Sequence, residues 1–304
     1  MAWIDALPEL PEFIVRQYPF RRRLWQLETG PDAGRRLHLI DHGDPEGRAV
    51  LMLHGNPTWS FLWRRVIAAM PGGKWRFVAP DLLGLGGSSR LPRIEDHSVD
   101  RHADAIAELV QVLELQNVIL VGQDWGGPII TGVGARLPER IAGVVLGNTA
   151  VILPRHPRGA FFHRLARMPV ISDILFRGLG LPERMLSRVQ GDPASIRGDV
   201  ARAYRWPLRT YRDRLAPLAL ARMVPDRADH PSYAAIQRGE AWLTAFEGPV
   251  SLVWGVRDPI LGRALRRHRR ALPRAEIVET EAGHFLQEEV PGELAAQIGR
   301  VAAG

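Results

Sequence analysis

The apolar positions change period along the chain. In Arg23-Leu24-Trp25-Gln26-Leu27-Glu28, and again in Arg36-Leu37-His38-Leu39-Ile40-Asp41, they alternate with polar ones. Period two predicts a hairpin-like pair of half-exposed strands. Beyond that point the pattern becomes short continuous apolar runs, at residues 49–53, 76–79, 118–121, 143–146 and 250–254. Most are closed by Gly, Asp or Asn and followed by a helical pattern, as in residues 105–115 with Ile106, Leu109, Val110 and Leu113 on one face. Buried runs alternating with helices predict a mostly parallel sheet covered on both faces, an α/β fold.

Between about 150 and 245 the strand rhythm stops. Short helical patterns replace it, at 161–175, 183–189, 196–205 and 234–246, in a stretch rich in Arg and Pro. So long a gap is no plain loop. It predicts a helical cap, residues 151–245, inserted into a core made of residues 1–150 and 246–304. Such a cap lies over the carboxyl ends of the strands, where open α/β sheets bind ligands. By position and apolarity Phe161, Phe162, Leu165, Trp206 and Trp242 are candidate pocket walls.

Composition narrows the chemistry. The 304 residues include no cysteine, which excludes disulfides, thiolate metal sites and a cysteine nucleophile. No stretch approaches the ~20 apolar residues of a membrane helix. The start, Met1-Ala2-Trp3-Ile4-Asp5, does not read as a secretory signal. A cytoplasmic protein is expected. The net charge is +7, and Lys74 is the only lysine. The arginines are dispersed and mixed with acids, and no nucleic-acid-reading motif accompanies them, so no nucleic-acid partner is expected. Homo-oligomerisation stays open.

The candidate chemistry begins at Gly122-Gln123-Asp124-Trp125-Gly126-Gly127, directly after the run 118–121 and before a helical pattern reaching about Leu137. This is the Gly-x-nucleophile-x-Gly elbow, a sharp strand-to-helix turn that holds its central side chain exposed. The central residue is aspartate, which excludes serine esterase chemistry here. A carboxylate is adequate for displacement at saturated carbon, and the resulting ester can be hydrolysed. The plainer reading is an aspartate capping the next helix. Two features favour the nucleophile. His54-Gly55-Asn56-Pro57 follows the run 49–53, where this architecture supplies a second oxyanion N–H. Ala282-Gly283-His284-Phe285 follows the strand-like residues 276–279, late in the chain, where the general base belongs.

The acid that orients His284 has two candidate positions. Gly147-Asn148-Thr149 follows one strand and Arg257-Asp258-Pro259 follows a later one. Asn148 is uncharged and cannot stabilise an imidazolium as a carboxylate does, so Asp258 is chosen. The alternative for Asp258 is a turn opened before Pro259.

With these residues in view, the chain resembles the haloalkane dehalogenases of the α/β-hydrolase fold. The resemblance rests on His54 to Ser60 with Phe61-Leu62-Trp63-Arg64, on Asp81-Leu82-Leu83-Gly84-Leu85-Gly86-Gly87-Ser88, and on the elbow. It is weak in the cap. It implies a triad of Asp124, His284 and Asp258, a halide held by Asn56 and Trp125, a small apolar organic substrate, and no metal or cofactor. An amide N–H and an indole N–H are neutral donors suited to a weakly hydrated anion. The better-known subfamily carries Glu at the position of Asn148; this chain resembles the one with an Asp-His-Asp triad. β-Lactone decarboxylases of olefin biosynthesis share these residues. Epoxide hydrolases share Asp-Trp-Gly but need cap tyrosines, for which Tyr204, Tyr211 and Tyr233 are candidates. Fluoroacetate dehalogenases need arginines just after the nucleophile, where Gly-Gly-Pro-Ile-Ile-Thr stands. A non-catalytic relative of the fold would be expected to lose part of the triad.

Overall fold

The computed structural model describes residues 3–4, 7–154 and 161–304, without the side chain of Phe161. The strands are β1 (Trp3–Ile4), β2 (Arg22–Gln26), β3 (Arg36–Gly43), β4 (Arg48–Leu53), β5 (Trp75–Pro80), β6 (Val118–Asp124), β7 (Ile141–Thr149), β8 (Val250–Gly255) and β9 (Glu276–Thr280). Among the described residues they form one sheet in the order β1-β2-β3-β5-β4-β6-β7-β8-β9. β2 and β3 are the expected antiparallel pair, with Leu24 opposite His38. β1, too short to leave a periodic signal, adds to β2. From β5 through β9 every pairing is parallel.

The central strands are apolar on both faces because both are covered. Leu51, Leu53, Leu120, Val144, Leu146 and Leu252 pack on one side with Ile129, Val133 and Leu109 of helices Gly126–Arg136 and Val99–Val112. Val50, Met52, Ile119, Val121, Val145 and Val253 pack on the other with Val66, Leu294 and Ile298 of helices Arg64–Ala68 and Pro291–Ala303. Alternate residues of one strand thus fall into different cores, as the pleat demands.

The insertion folds as short helices: Phe161–Ala166, a π-helical turn Asp173–Gly178, Leu181–Arg184, Gly198–Arg205 and Leu215–Met223. The helix expected over 161–175 breaks after Ala166, where Pro169 cannot donate a backbone hydrogen bond and Val170 takes a left-handed φ of 65°. Leu215–Met223 was not expected. The helix expected over 234–246 is Pro231–Ala245, and it belongs with the core layer. Gly239 lies against Thr131, and Trp242 fills the space above Gly134, both on the core helix Gly126–Arg136. Trp242 is therefore no pocket wall. No helix among the described residues is long and apolar enough to cross a membrane.

Candidate active site

β6 delivers Asp124 in the left-handed region, with φ of 51°. Such a conformation costs energy in a non-glycine residue and persists only where its surroundings impose it. They do so here by proximity. A Cβ on Gly126 would collide with the carbonyl of Leu53, and one on Gly55 would collide with the Asp124 carboxylate. Thr149 Oγ1, at the end of β7, donates to Asp124 O at 2.7 Å and closes the turn from the other side. The Asp124 carboxylate accepts the backbone N–H of Asn56 at 2.8 Å and that of Trp125. Burial pushes its pKa up, against the pull of His284 and of these two N–H groups; the net is a raised value.

His284 Nε2 lies 3.6 Å from Asp124 Oδ2. Its Nδ1 is 2.8 Å from Asp258 Oδ2, and both side chains are almost wholly buried. An ionised Asp258 accepts only, so Nδ1 carries the proton and Nε2 turns its lone pair towards Asp124. Burial lowers the imidazole's pKa, but the charge and hydrogen bond of Asp258 and the charge of Asp124 outweigh it, and the pKa is raised. Burial raises that of Asp258, yet His284, Asn148 and the Ile260 N–H together hold it below the ordinary carboxylate value.

Both candidate acid positions converge here. Asn148 Nδ2 donates to Asp258 Oδ2 at 2.7 Å and to Gly255 O at 3.0 Å, while Asn148 Oδ1 accepts from Gly255 N at 2.7 Å. Asn148 thus clamps the Asp258 carboxylate between β7 and the end of β8. The signal for it in the sequence was an amide ending a wholly apolar strand. His54 was also missed. Its Nε2 accepts the Leu82 N–H at 3.0 Å and its Nδ1 lies 2.9 Å from Gly55 O, which ties the Asn56 loop to the loop after β5.

Asn56 Nδ2 donates to Pro217 O at 3.0 Å, on the unforeseen helix Leu215–Met223. That bond fixes which end of the amide is which, because a carbonyl oxygen in its place would face another oxygen. One amide hydrogen is used; the second remains for a ligand. Asn56 and Trp125 both line a cavity of about 380 Å³ above Asp124 and His284. Its walls are mostly apolar and include Phe162, Met185, Leu186, Val189 and Val224, with His163 the titratable cap residue among them. The volume lies in the ~300–1,000 Å³ range of small-molecule sites. A smaller cavity of about 220 Å³ also reaches Asp124 and Trp125.

Phe162 is thus a wall, as expected. Leu165 is not among the lining residues, and Trp206 lies elsewhere, under the guanidinium of Arg209. The side chain of Phe161 falls outside the described residues. None of the three candidate tyrosines lines the cavity. Tyr204 bonds to the buried Glu288, Tyr211 is half exposed with its hydroxyl on Asp173 at 3.1 Å, and Tyr233 sits on the core-layer helix Pro231–Ala245.

A family model for the α/β-hydrolase fold matches residues 48–291. A haloalkane dehalogenase of Mycolicibacterium paratuberculosis is 30% identical over 291 residues, covering 93% of each chain. Haloalkane dehalogenase 2 of Mycobacterium bovis is 33% identical over 286 residues, covering 92% of this chain and 94% of its own. Among solved structures, the tetrameric haloalkane dehalogenase DpaA of Paraglaciecola agarilytica superposes with a TM-score of 0.81 at 25% identity, over 97% of both chains.

Proposed function

The chain belongs to the haloalkane dehalogenase family of the α/β-hydrolase fold, and from that premise we propose that it hydrolyses haloalkanes to an alcohol and a halide ion through an ester on Asp124. The observation that carries this reading is a strained, half-buried aspartate facing the lone pair of His284 at 3.6 Å, beneath an apolar cavity that Asn56 and Trp125 line.

Asp124 attacks the halogen-bearing carbon in line; the C–O bond forms as the carbon–halogen bond breaks. The departing halide takes the free amide hydrogen of Asn56 and the indole N–H of Trp125. Partial burial of the carboxylate assists, because a less solvated nucleophile has less water to shed. The alkyl ester then bears no charge. Water adds to its carbonyl carbon while His284 Nε2 takes the proton, and the N–H groups of Asn56 and Trp125, already on the carboxylate, stabilise the oxyanion. Collapse releases the alcohol and restores Asp124. Asp258 steadies the imidazolium. Ester formation also removes the Asp124 charge, one of the influences that raise His284, so the base is freer to be neutral in the step that needs it.

The β-lactone decarboxylase reading uses the same polar groups and an apolar cavity, so products must separate the two. The epoxide reading lacks a phenol at the cavity among the described residues. The test incubates the protein with a bromoalkane, an aryl epoxide and a long-chain β-lactone, following bromide, diol and alkene. Bromide release that vanishes in Asp124→Asn is expected. Alkene or diol without bromide would overturn the proposal.

A further inference from the structure

The loop that presents His284 is held largely by groups outside it. Gly283 N–H donates to Glu289 Oε1 at 3.0 Å, and His284 N–H donates to Val189 O at 2.8 Å. His284 O accepts Gln123 Nε2 at 3.0 Å. Gln190 takes both backbone groups of Phe285: its Oε1 accepts the N–H at 2.8 Å and its Nε2 donates to the carbonyl at 3.1 Å. Glu289 extends the join by accepting Gly191 N–H at 3.1 Å and Asp192 N–H at 2.7 Å. Gly283 has no room for a side chain, because Gln190 Cα stands where its Cβ would be.

Val189 and Gln190 are cap residues. Val189, like Met185 and Leu186 just before it, lines the cavity. The segment that shapes the substrate's surroundings therefore continues directly into the segment that holds the base. Gln190 is 7% exposed and also donates to Ser195 Oγ at 3.1 Å, so its amide is oriented by three partners. Asp258 fixes the imidazole through Nδ1 but leaves the ring free to tilt about that bond. The backbone on either side of His284 limits the tilt.

We propose that Gln190 is a positioning residue through which the cap holds His284 over the Asp124 ester, governing ester hydrolysis but not ester formation. The proposal rests on the two-step mechanism above. His284 takes no part in the displacement, so a displaced imidazole slows only the second step. Misplacing a catalytic group by about 1 Å can cost on the order of 100-fold.

The test is rapid mixing of wild type, Gln190→Met and Gln190→Glu with a bromoalkane. Met removes every hydrogen bond at similar volume, while Glu keeps the acceptor for Phe285 N–H. In Gln190→Met, bromide is expected in a burst of one per active site at the wild-type rate, then turnover lowered by about 10- to 100-fold. Alkylated Asp124 should accumulate and be seen by mass spectrometry, with Gln190→Glu intermediate. Burst and turnover falling together, or neither changing, would overturn the proposal. If wild type releases no bromide, the dehalogenase reading fails but the positioning claim is still decided by NMR titration of His284. Gln190→Met should lower its pKa as the Asp258 contact loosens; an unchanged titration overturns the claim.

Discussion

Replacing Asp258 with asparagine removes one charge from the site with little change of shape, and the hydrogen bonds around the carboxylate set its effect. In the wild type Oδ2 accepts from His284 Nδ1 at 2.8 Å and from Asn148 Nδ2 at 2.7 Å, and Oδ1 accepts the Ile260 N–H at 2.7 Å. An asparagine has two placements. With its oxygen towards His284, its NH2 group faces the Ile260 N–H, and a buried donor left unpaired costs about 1–3 kcal/mol. With its NH2 towards His284, it also confronts Asn148, whose amide cannot turn because Gly255 engages both ends. His284 must then move its proton to Nε2, where no lone pair is left for water. The first placement loses a charge-assisted hydrogen bond of about 1.5–3 kcal/mol. The second is the wrong tautomer, which in the serine triad costs about 10⁴ in kcat. Ester hydrolysis should therefore fall by about 10²- to 10⁴-fold, or about 3–5.5 kcal/mol. Ester formation should stay close to wild type, because Asp258 touches no reacting atom. Quenched-flow measurement of bromide with intact-mass detection of the alkyl-enzyme reads both steps. Equal loss of both phases, or turnover unaffected by the change, would refute the reasoning.

Three further outcomes are expected. The acid limb of kcat should fall at lower pH than the titration of His284 in the free enzyme, because that pKa is raised partly by the Asp124 charge, which the ester removes; turnover is lost as pH drops and the base protonates, and a kcat limb at or above the free-enzyme value would contradict this. Trp125→Phe keeps the ring but loses the N–H, and should weaken competitive inhibition by bromide by roughly 10-fold or more, given about 1.5–3 kcal/mol for a hydrogen bond to an ion; an unchanged inhibition constant would remove Trp125 from the halide site. Glu288→Ala leaves Arg64 buried without its bidentate partner and should cost about 3–5 kcal/mol in chemical denaturation, whereas replacing both with apolar residues should cost far less; a single-variant loss near zero would contradict that.

The hydrolase core was legible because its residues obey local rules. An aspartate between glycines at a strand-to-helix turn, and a histidine and an aspartate at later strand ends, are brought together by parallel topology alone. What escaped was set by contacts distant in sequence. Asn148 lacks the charge of a triad acid, yet its amide grips the carboxylate of Asp258. Pro217 meets Asn56 from Leu215–Met223, a helix buried on nearly every side whose uniform apolarity gives no periodic signal to read. By its place in the chain Trp242 falls in the cap. Only the space above Gly134 shows that its helix lies on the core. Gln190 carries no motif, since its role lies in the pairing with Phe285.

The central claim is that the carboxylate of Asp124, not water, displaces the halide. A single turnover in H₂¹⁸O with enzyme in excess tests it most directly. Water adds to the ester carbonyl, so the alcohol keeps an oxygen that was already in Asp124 and the label enters the carboxylate. The account predicts unlabelled alcohol and a heavy-oxygen mass shift in the peptide containing Asp124. Labelled alcohol with an unlabelled peptide would mean that water attacks carbon directly, and would contradict it.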